Sequence, residues 1–224
     1  MGVAENLHTI KKTIPEHVTL VAVSKTKAVE VIMEAYGAGH RDFGENKVQD
    51  LIAKQARLPA DIRWHMIGHL QSNKVKYLAP FVHMVHGVDS LKLLSVINRE
   101  AEKHERVIDC LLQVHIAMED TKFGLTEEEL MLLLESESFR EMSNIRIRGL
   151  MGMATYTENS DQIREEFRHL KRIFDRLKGT RFAGQDTFDL LSCGMSGDYV
   201  LAIEEGSNLV RIGSLIFGPR NYSN

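Results

Sequence analysis

Apolar residues fall in short runs separated by longer stretches in which they recur every three or four positions, and the two patterns alternate along nearly the whole chain. The short runs at 18–23 (VTLVAV), 41–43 (RDF), 64–67 (WHMI), 83–87 (HMVHG), 108–115 (IDCLLQVH), 145–151 (IRIRGLM), 188–192 (FDLLS) and 208–212 (NLVRI) predict eight strands. Such runs suit strands buried on both faces. The amphipathic stretches at 28–38, 46–57, 70–79, 90–105, 126–137, 160–178 and 197–206 predict helices, with one more ahead of the first strand at about 3–13. Thr126 before Glu127-Glu128-Glu129, and Ser160 before Asp161, read as helix starts, where a side-chain oxygen accepts from exposed backbone N–H groups. Eight strands each followed by a helix predict an α/β protein built as a single parallel (β/α)8 barrel of TIM type, with a doubly wound open sheet as the alternative. No Pro/Gly/Ser-rich linker or solenoid-length repeat divides residues 1–224, so one domain is expected.

Composition narrows the class of protein. The 224 residues are 43% hydrophobic and 26% charged, enough apolar content for one large core. The formal net charge of −3 gives no electrostatic reason to expect nucleic acid or an anionic membrane as partner. No apolar stretch reaches membrane-spanning length, and MGVAENLHTIKK lacks the apolar segment of a secretory signal, so a cytoplasmic protein is expected, acting as a monomer. Cys110 and Cys193 each lie in an apolar run, which fits buried thiols better than a disulfide.

In a barrel of this type the residues just past the strand C-termini line the functional face. Here they are Lys25, FGEN at 43–46, GHLQSNK at 68–74, Val88-Asp89, His115, Met151-Gly152-Met153, SCGMSGD at 192–198 and GSLIFG at 213–218. Gly194, Ser196 and Gly197 follow strand seven, and Gly213 and Ser214 follow strand eight, the place where such barrels often hold a phosphate. Glycine admits close approach of the backbone and serine adds donors; a plain tight turn reads equally from one loop, and two on adjacent strands favour phosphate. Lys25 would then stand across from the phosphate, as an amine must to form a Schiff base with a phosphorylated aldehyde. A free lysine, with a pKa of about 10.4, has little nucleophilic amine at neutral pH, so desolvation or a nearby cation would have to lower it. From position alone Lys25 reads as readily as a side chain snorkelling to solvent. Lys27, Lys74 and Lys122 compete for the same role.

The blocks AVSKTK, GHRDFGENKVQD, WHMIGHLQSNKVKYL, EDTKFGL, RGLMGMA and LSCGMSGDYVLAIEEGSNLVRIGSLIFGPRNY, in this order, resemble the YggS/PROSC group, the pyridoxal 5′-phosphate homeostasis proteins, over about residues 18–222. That resemblance implies a barrel similar to the one in alanine racemase and a bound pyridoxal 5′-phosphate. It implies that the cofactor is held as an internal aldimine on Lys25, with Asn46 near it, Ser196, Gly197, Gly213 and Ser214 at the phosphate, and Arg211 at the pyridine nitrogen. His115 departs from the asparagine the family more often shows after its strand-five glutamine and valine. The implied function is cofactor homeostasis and delivery, with pyridoxal-phosphate-dependent apo-enzymes as recipients.

An arginine at the pyridine nitrogen keeps it unprotonated and weakens the ring as an electron sink, so carbanion chemistry would be restrained. Two-base racemisation also needs a proton-transfer group on the face opposite Lys25. Alanine racemases, by resemblance, bring a tyrosine from a further domain of a partner subunit, for which a chain ending at Asn224 leaves no room. Tyr156, Tyr199 and Tyr222 are the local alternatives. A carrier is therefore expected first, and a slow or specialised racemase or lyase second. His65 and His69 have the spacing of a helical metal pair but sit on a predicted strand, and no metal site is expected. His83 and His86, odd-spaced, should face opposite ways in a strand. Met151 and Met153 read equally as barrel filling or as a cofactor wall.

Overall fold

The computed structural model describes residues 2–118 and 123–219. Eight parallel strands close a barrel in chain order, and the last pairs back on the first from Thr19↔Leu209 to Ala22↔Ile212. The strands are β1 Thr19–Val23, β2 Asp42–Glu45, β3 Arg63–Met66, β4 Met84–Val88, β5 Ile108–Gln113, β6 Ile145–Met151, β7 Leu190–Ser192 and β8 Leu209–Ile212. The helices are α1 Val3–Thr13, α2 Val29–Gly37, α3 Val48–Gln55, α4 Val75–Leu78, α5 Leu91–Lys103, α6 Glu127–Glu135, α7 Glu137–Arg140, α8 Ser160–Gly179, α9 Tyr199–Glu204 and α10 Ser214–Phe217. Among the described residues no helix is long and apolar enough to cross a membrane.

Strand alternation explains the two hydrophobic layers. Leu20, Ala22, Phe43, Trp64, Val85, Leu112 and Val210 point outward and pack with the apolar faces of the helices in the main core. Val21, Met84, Leu111, Met151 and Leu209 point inward and form a smaller apolar layer inside the barrel. β6 carries a bulge against β5, where the register shifts at Cys110/Leu111. Gly149 sits there at φ 152°, and a Cβ would lie 1.8 Å from the Leu190 carbonyl oxygen, so the bulge admits only glycine.

The predicted elements appear in order, with local differences. β2 extends through Glu45, so three of the four residues of the expected FGEN turn are strand. The stretch 70–79 opens as a 3₁₀ turn over Ser72–Lys74 before α4. The stretch 126–137 is two helices, because Ser136 leaves helical geometry and its hydroxyl caps α7 through Phe139 N–H. Thr126 forms the expected cap, reinforced by Glu129 in a reciprocal pair. At α8 the cap is Asn159 and not Ser160: its Oδ1 accepts from Asp161 and Gln162, and Ser160 is the first helical residue. Asparagine one position earlier reaches the N2 and N3 donors that Ser160, already helical, cannot. The short α10, not anticipated, places Ser214 at its start.

At the N-terminal end of the barrel the charged side chains are paired. Arg63 grips Asp42 at 2.7 and 2.5 Å, Arg146 and Arg148 both reach Asp109, and Arg148 also holds Asp189.

Candidate functional site

At the opposite end a cavity of about 370 Å³ opens over β1, β7 and β8. Lys25, Asn46, Ser196, Gly197, Arg211, Gly213 and Ser214, all anticipated from the sequence, line it together. Its described lining carries three cations, Lys25, Lys27 and Arg211, and no carboxylate. Val23, Ile67, Met153 and Met195 supply an apolar wall, and Tyr156 stands at the mouth, 98% exposed.

Lys25 continues the inward side of β1, after Val21 and Val23, and is half-buried. The residue before it is clamped from outside the barrel. Ser24 Oγ donates to Glu45 Oε1 at 2.6 Å, while Lys54 Nζ donates to Glu45 Oε1 at 2.7 Å and to the Ser24 carbonyl at 2.8 Å. All three are buried, and burial raises the Glu45 pKa against the pull of Lys54 and Ser24. Thr26, directly after Lys25, takes φ +64°, a costly conformation for a β-branched residue that the clamp on one side must hold. Lys25 is therefore mounted on a fixed strand end rather than on a loose loop.

Arg211, on β8, points inward and is 3% exposed. It donates to the Ser192 carbonyl at 3.0 Å, Ser192 Oγ at 2.6 Å and the Gly152 carbonyl at 3.2 Å. Among the described residues it has no carboxylate partner, and burial lowers its pKa. A buried guanidinium held only by neutral oxygens keeps spare donor capacity.

The loops after β7 and β8 are tied together, Gly213 N–H donating to Ser196 Oγ at 3.2 Å. Asp198 Oδ1 accepts from Met195 N–H at 2.5 Å and closes the first loop, and Gly194 turns it at φ +95°. Gly213 lies against β1, where a Cβ would meet the Val23 carbonyl at 3.1 Å. Asn46 offers Oδ1, buried and without a hydrogen-bond partner among the described residues. An unmet acceptor, a buried cation lacking a carboxylate, and serines on two joined loops fit an anionic ligand with polar ring substituents.

The other mouth residues go elsewhere. Lys27 lines the cavity, its Nζ donating to the carbonyls of Gly218 and Pro219. Lys74 lies in the 3₁₀ turn, 5.9 Å from the Tyr77 ring, and does not line the cavity. Lys122 and Tyr222 lie outside the described residues. His69 meets Asp89 at 3.2 Å and stacks on Phe123. Tyr199 is buried and bonded to Thr13 through its hydroxyl. Met151 belongs to the inner barrel layer and Met153 to the cavity wall, which divides the two roles the sequence left joined. Cys110 and Cys193 are free, buried thiols, and burial pushes Cys193 up to about 12.

One expectation fails. His83 and His86 do not face opposite ways: both rings meet His65, at 5.2 and 5.1 Å between centroids. β4 begins at Met84, so His83 precedes the strand and escapes its alternation. Asp42, His65 and His83 bring possible ligand atoms within 4.8 Å of one another, yet both oxygens of Asp42 are held by Arg63. Sequence reasoning placed Ser192 and Glu45 only within mouth segments and gave them no role, and it missed Lys54. Ser192 had a signal, as the last residue of an apolar strand; Lys54 looked like any amphipathic-helix lysine.

Comparison with known proteins shows the family. Residues 2–221 match the family model "Alanine racemase, N-terminal domain". The pyridoxal phosphate homeostasis protein of Aquifex aeolicus is 41% identical over 204 residues, covering 91% of this chain and 87% of that protein. That of Vibrio alginolyticus is 41% identical over 214 residues, covering 93% and 89%. Among solved structures, PipY of Synechococcus elongatus PCC7942 superposes with a TM-score of 0.90 without PLP and 0.87 with PLP bound, at 35% identity over 96% of this chain and 100% of PipY. Alanine racemase from Bartonella henselae, at 16% identity and a TM-score of 0.73, shares the fold over 98% of this chain and 60% of its own. Matched from end to end by that model and by these relatives, the chain belongs to the alanine racemase N-terminal-domain family and, within it, to the pyridoxal phosphate homeostasis proteins.

Proposed function

We propose that this protein binds pyridoxal 5′-phosphate in the cavity over β1, β7 and β8, holds it through Lys25, and serves intracellular vitamin B6 homeostasis by keeping and passing on the cofactor. The observation that carries the reading is the convergence of Lys25, Arg211 and the two serine loops on one carboxylate-free cavity. PipY, solved with PLP bound, supports the choice of ligand. When bound, pyridoxal phosphate supplies an aldehyde that condenses with a primary amine to a Schiff base, and a ring that draws electrons from it.

The residues divide the work. Lys25 presents its amine from the clamped end of β1. Ser196, Gly197, Gly213 and Ser214 hold the phosphate with hydroxyls and close backbone. Asn46 meets a polar ring substituent at one edge. Arg211 donates to the pyridine nitrogen and, being a permanent cation, keeps a proton off it. The ring is then a weak electron sink, as suits a protein that stores a reactive cofactor. Delivery finds support in the exposed apolar side chains that follow the strand C-termini: Met118 and Phe123 after β5, Tyr156 and Met195 at the cavity after β6 and β7, and Leu215 on α10 after β8, which fit a face that meets other proteins.

Borohydride reduction followed by mass mapping tests the reading. The pyridoxyl group is expected on Lys25, absent from Lys25→Ala, and unchanged by Lys27→Ala or Lys74→Ala; label on another lysine with Lys25 unmodified would overturn it. A racemase-like reading has one observation in its favour, Tyr156 at the cavity mouth. Solvent deuterium incorporation at the α-carbon separates the two: background exchange across a panel of amino acids fits a carrier, and turnover with one substrate that is lost in Tyr156→Phe fits an enzyme.

A further inference from the structure

A file of polar side chains crosses the inside of the barrel beneath Arg211. Its Nη1 donates to Ser192 Oγ at 2.6 Å, and Ser192 Oγ lies 3.5 Å from His86 Nδ1. His86 Nε2 lies 2.9 Å from His65 Nδ1, and His65 Nε2 lies 3.1 Å from Asp42 Oδ1, which Arg63 also holds. The five residues, Arg211, Ser192, His86, His65 and Asp42, come from β8, β7, β4, β3 and β2, and none of them is more than 9% exposed. The file shares the barrel interior with the apolar layer of Val21, Met84, Leu111, Met151 and Leu209, where polar groups are costly unless each is satisfied.

The two ends fix where the protons sit. Asp42 only accepts: burial works to raise its pKa, but bonds from Arg63 and His65 outweigh this and hold it well below the usual carboxylate range. His65 therefore carries a proton on Nε2. From the other end, Ser192 Oγ accepts from Arg211 and offers its own proton to His86 Nδ1, so His86 carries its proton on Nε2 and donates to His65 Nδ1. Burial pushes His86 well below the ordinary histidine value, which leaves the ring one proton and keeps Nδ1 an acceptor. The Ser192 proton is thus engaged away from Arg211, and its oxygen faces the guanidinium as an acceptor strengthened by the bond behind it.

We infer that Ser192 and His86, backed by His65 and Asp42, are positioning residues for Arg211, fixing the direction of its remaining N–H donors and so the protonation of the ring nitrogen of a bound pyridine cofactor. The inference rests on the reading of Arg211 given above. Without the Ser192 hydroxyl, Arg211 keeps two backbone carbonyls, Ser192 on Nη1 and Gly152 on Nη2, which hold it in the barrel, but Nη1 loses the shorter of its two bonds and with it the side-chain contact that orients it.

The test is the nitrogen-15 NMR shift of ring-labelled pyridoxal 5′-phosphate bound to the full chain at neutral pH. The parent is expected to show an unprotonated ring nitrogen. Ser192→Ala and His86→Leu should move the signal upfield toward the protonated ring while borohydride still labels Lys25. His86→Asn, whose Oδ1 can stand in for the accepting Nδ1, should keep the parent shift, a rescue that a purely packing role would not produce. An unmoved signal in Ser192→Ala and His86→Leu, with movement in Arg211→Lys, would overturn this inference alone. An unmoved signal in Arg211→Lys as well would overturn the assignment of Arg211 together with it.

Discussion

The two ends of the barrel treat charge in opposite ways. At the N-terminal end Asp42, Asp109 and Asp189 face Arg63, Arg146 and Arg148 in a closed set of pairs. At the C-terminal end the cavity gathers Lys25, Lys27 and Arg211 without a carboxylate among its described lining residues. The chain balances charge with charge where only the fold is at stake, and gathers cations without an acidic lining residue where an anion is proposed to bind. Between the ends, the Asp42–His65–His86–Ser192 file joins the ion-paired end to the cavity end.

Four outcomes sharpen or break this contrast. The largest effect is expected for a charge the fold pairs in full burial. Lys54→Met leaves Glu45, 0% exposed, without its counter-ion and should cost about 3–5 kcal/mol in urea unfolding. Adding Glu45→Gln should recover much of that loss, and a double variant as unstable as the single one would mean that the clamp acts through shape alone.

Next comes the pH dependence of the lower end. Burial first, then the charge of Lys11, lowers His40 to about 4, so the fold keeps this ring neutral. Between about pH 6.5 and 4 the unfolded chain binds the proton and the folded chain does not, so stability falls as pH drops through that window. The loss from this residue should total about 3.5 kcal/mol, at about 1.4 kcal/mol per pH unit across that window, and His40→Gln should flatten that part of the stability curve.

A smaller effect is expected at the ligand-completed end, where stability should hardly change. On the proposed reading Ser214→Ala removes a donor to the phosphate, worth about 1.5–3 kcal/mol, and affinity for pyridoxal phosphate should fall by about ten- to a hundredfold by fluorescence titration. Unchanged affinity would move the phosphate elsewhere in the cavity. The smallest effect is for an exposed pair with no part in either end. Lys171→Ala, which breaks an i,i+4 pair with Asp175 on α8, should shift unfolding by no more than about 0.5 kcal/mol.

Much of the molecule is legible in its order of residues. Alternation of apolar runs with amphipathic stretches marks all eight strands, because a parallel strand covered on both faces must be apolar along its length. The rule that barrel sites lie past the strand C-termini then selects Lys25, the two glycine-serine loops and Asn46, and the fold brings these to one cavity. Element ends were less legible, as at Asn159, where cap and first helical residue are both good capping types.

The sequence by itself determined the barrel and the residues at its mouth, since both follow from periodicity along one strand and from position at its end. Only the tertiary structure decided which polar residues meet inside. Asp42, His65, His86, Ser192 and Arg211 lie on five strands, and their contacts depend on register, barrel closure and the exact turn of each side chain inward. Lys54 is the same case on the outer side: a helix lysine by pattern, it becomes the buried partner of Glu45 because α3 packs over the end of β2. Local periodicity carries no information about a partner tens of residues away; only packing in three dimensions supplies it.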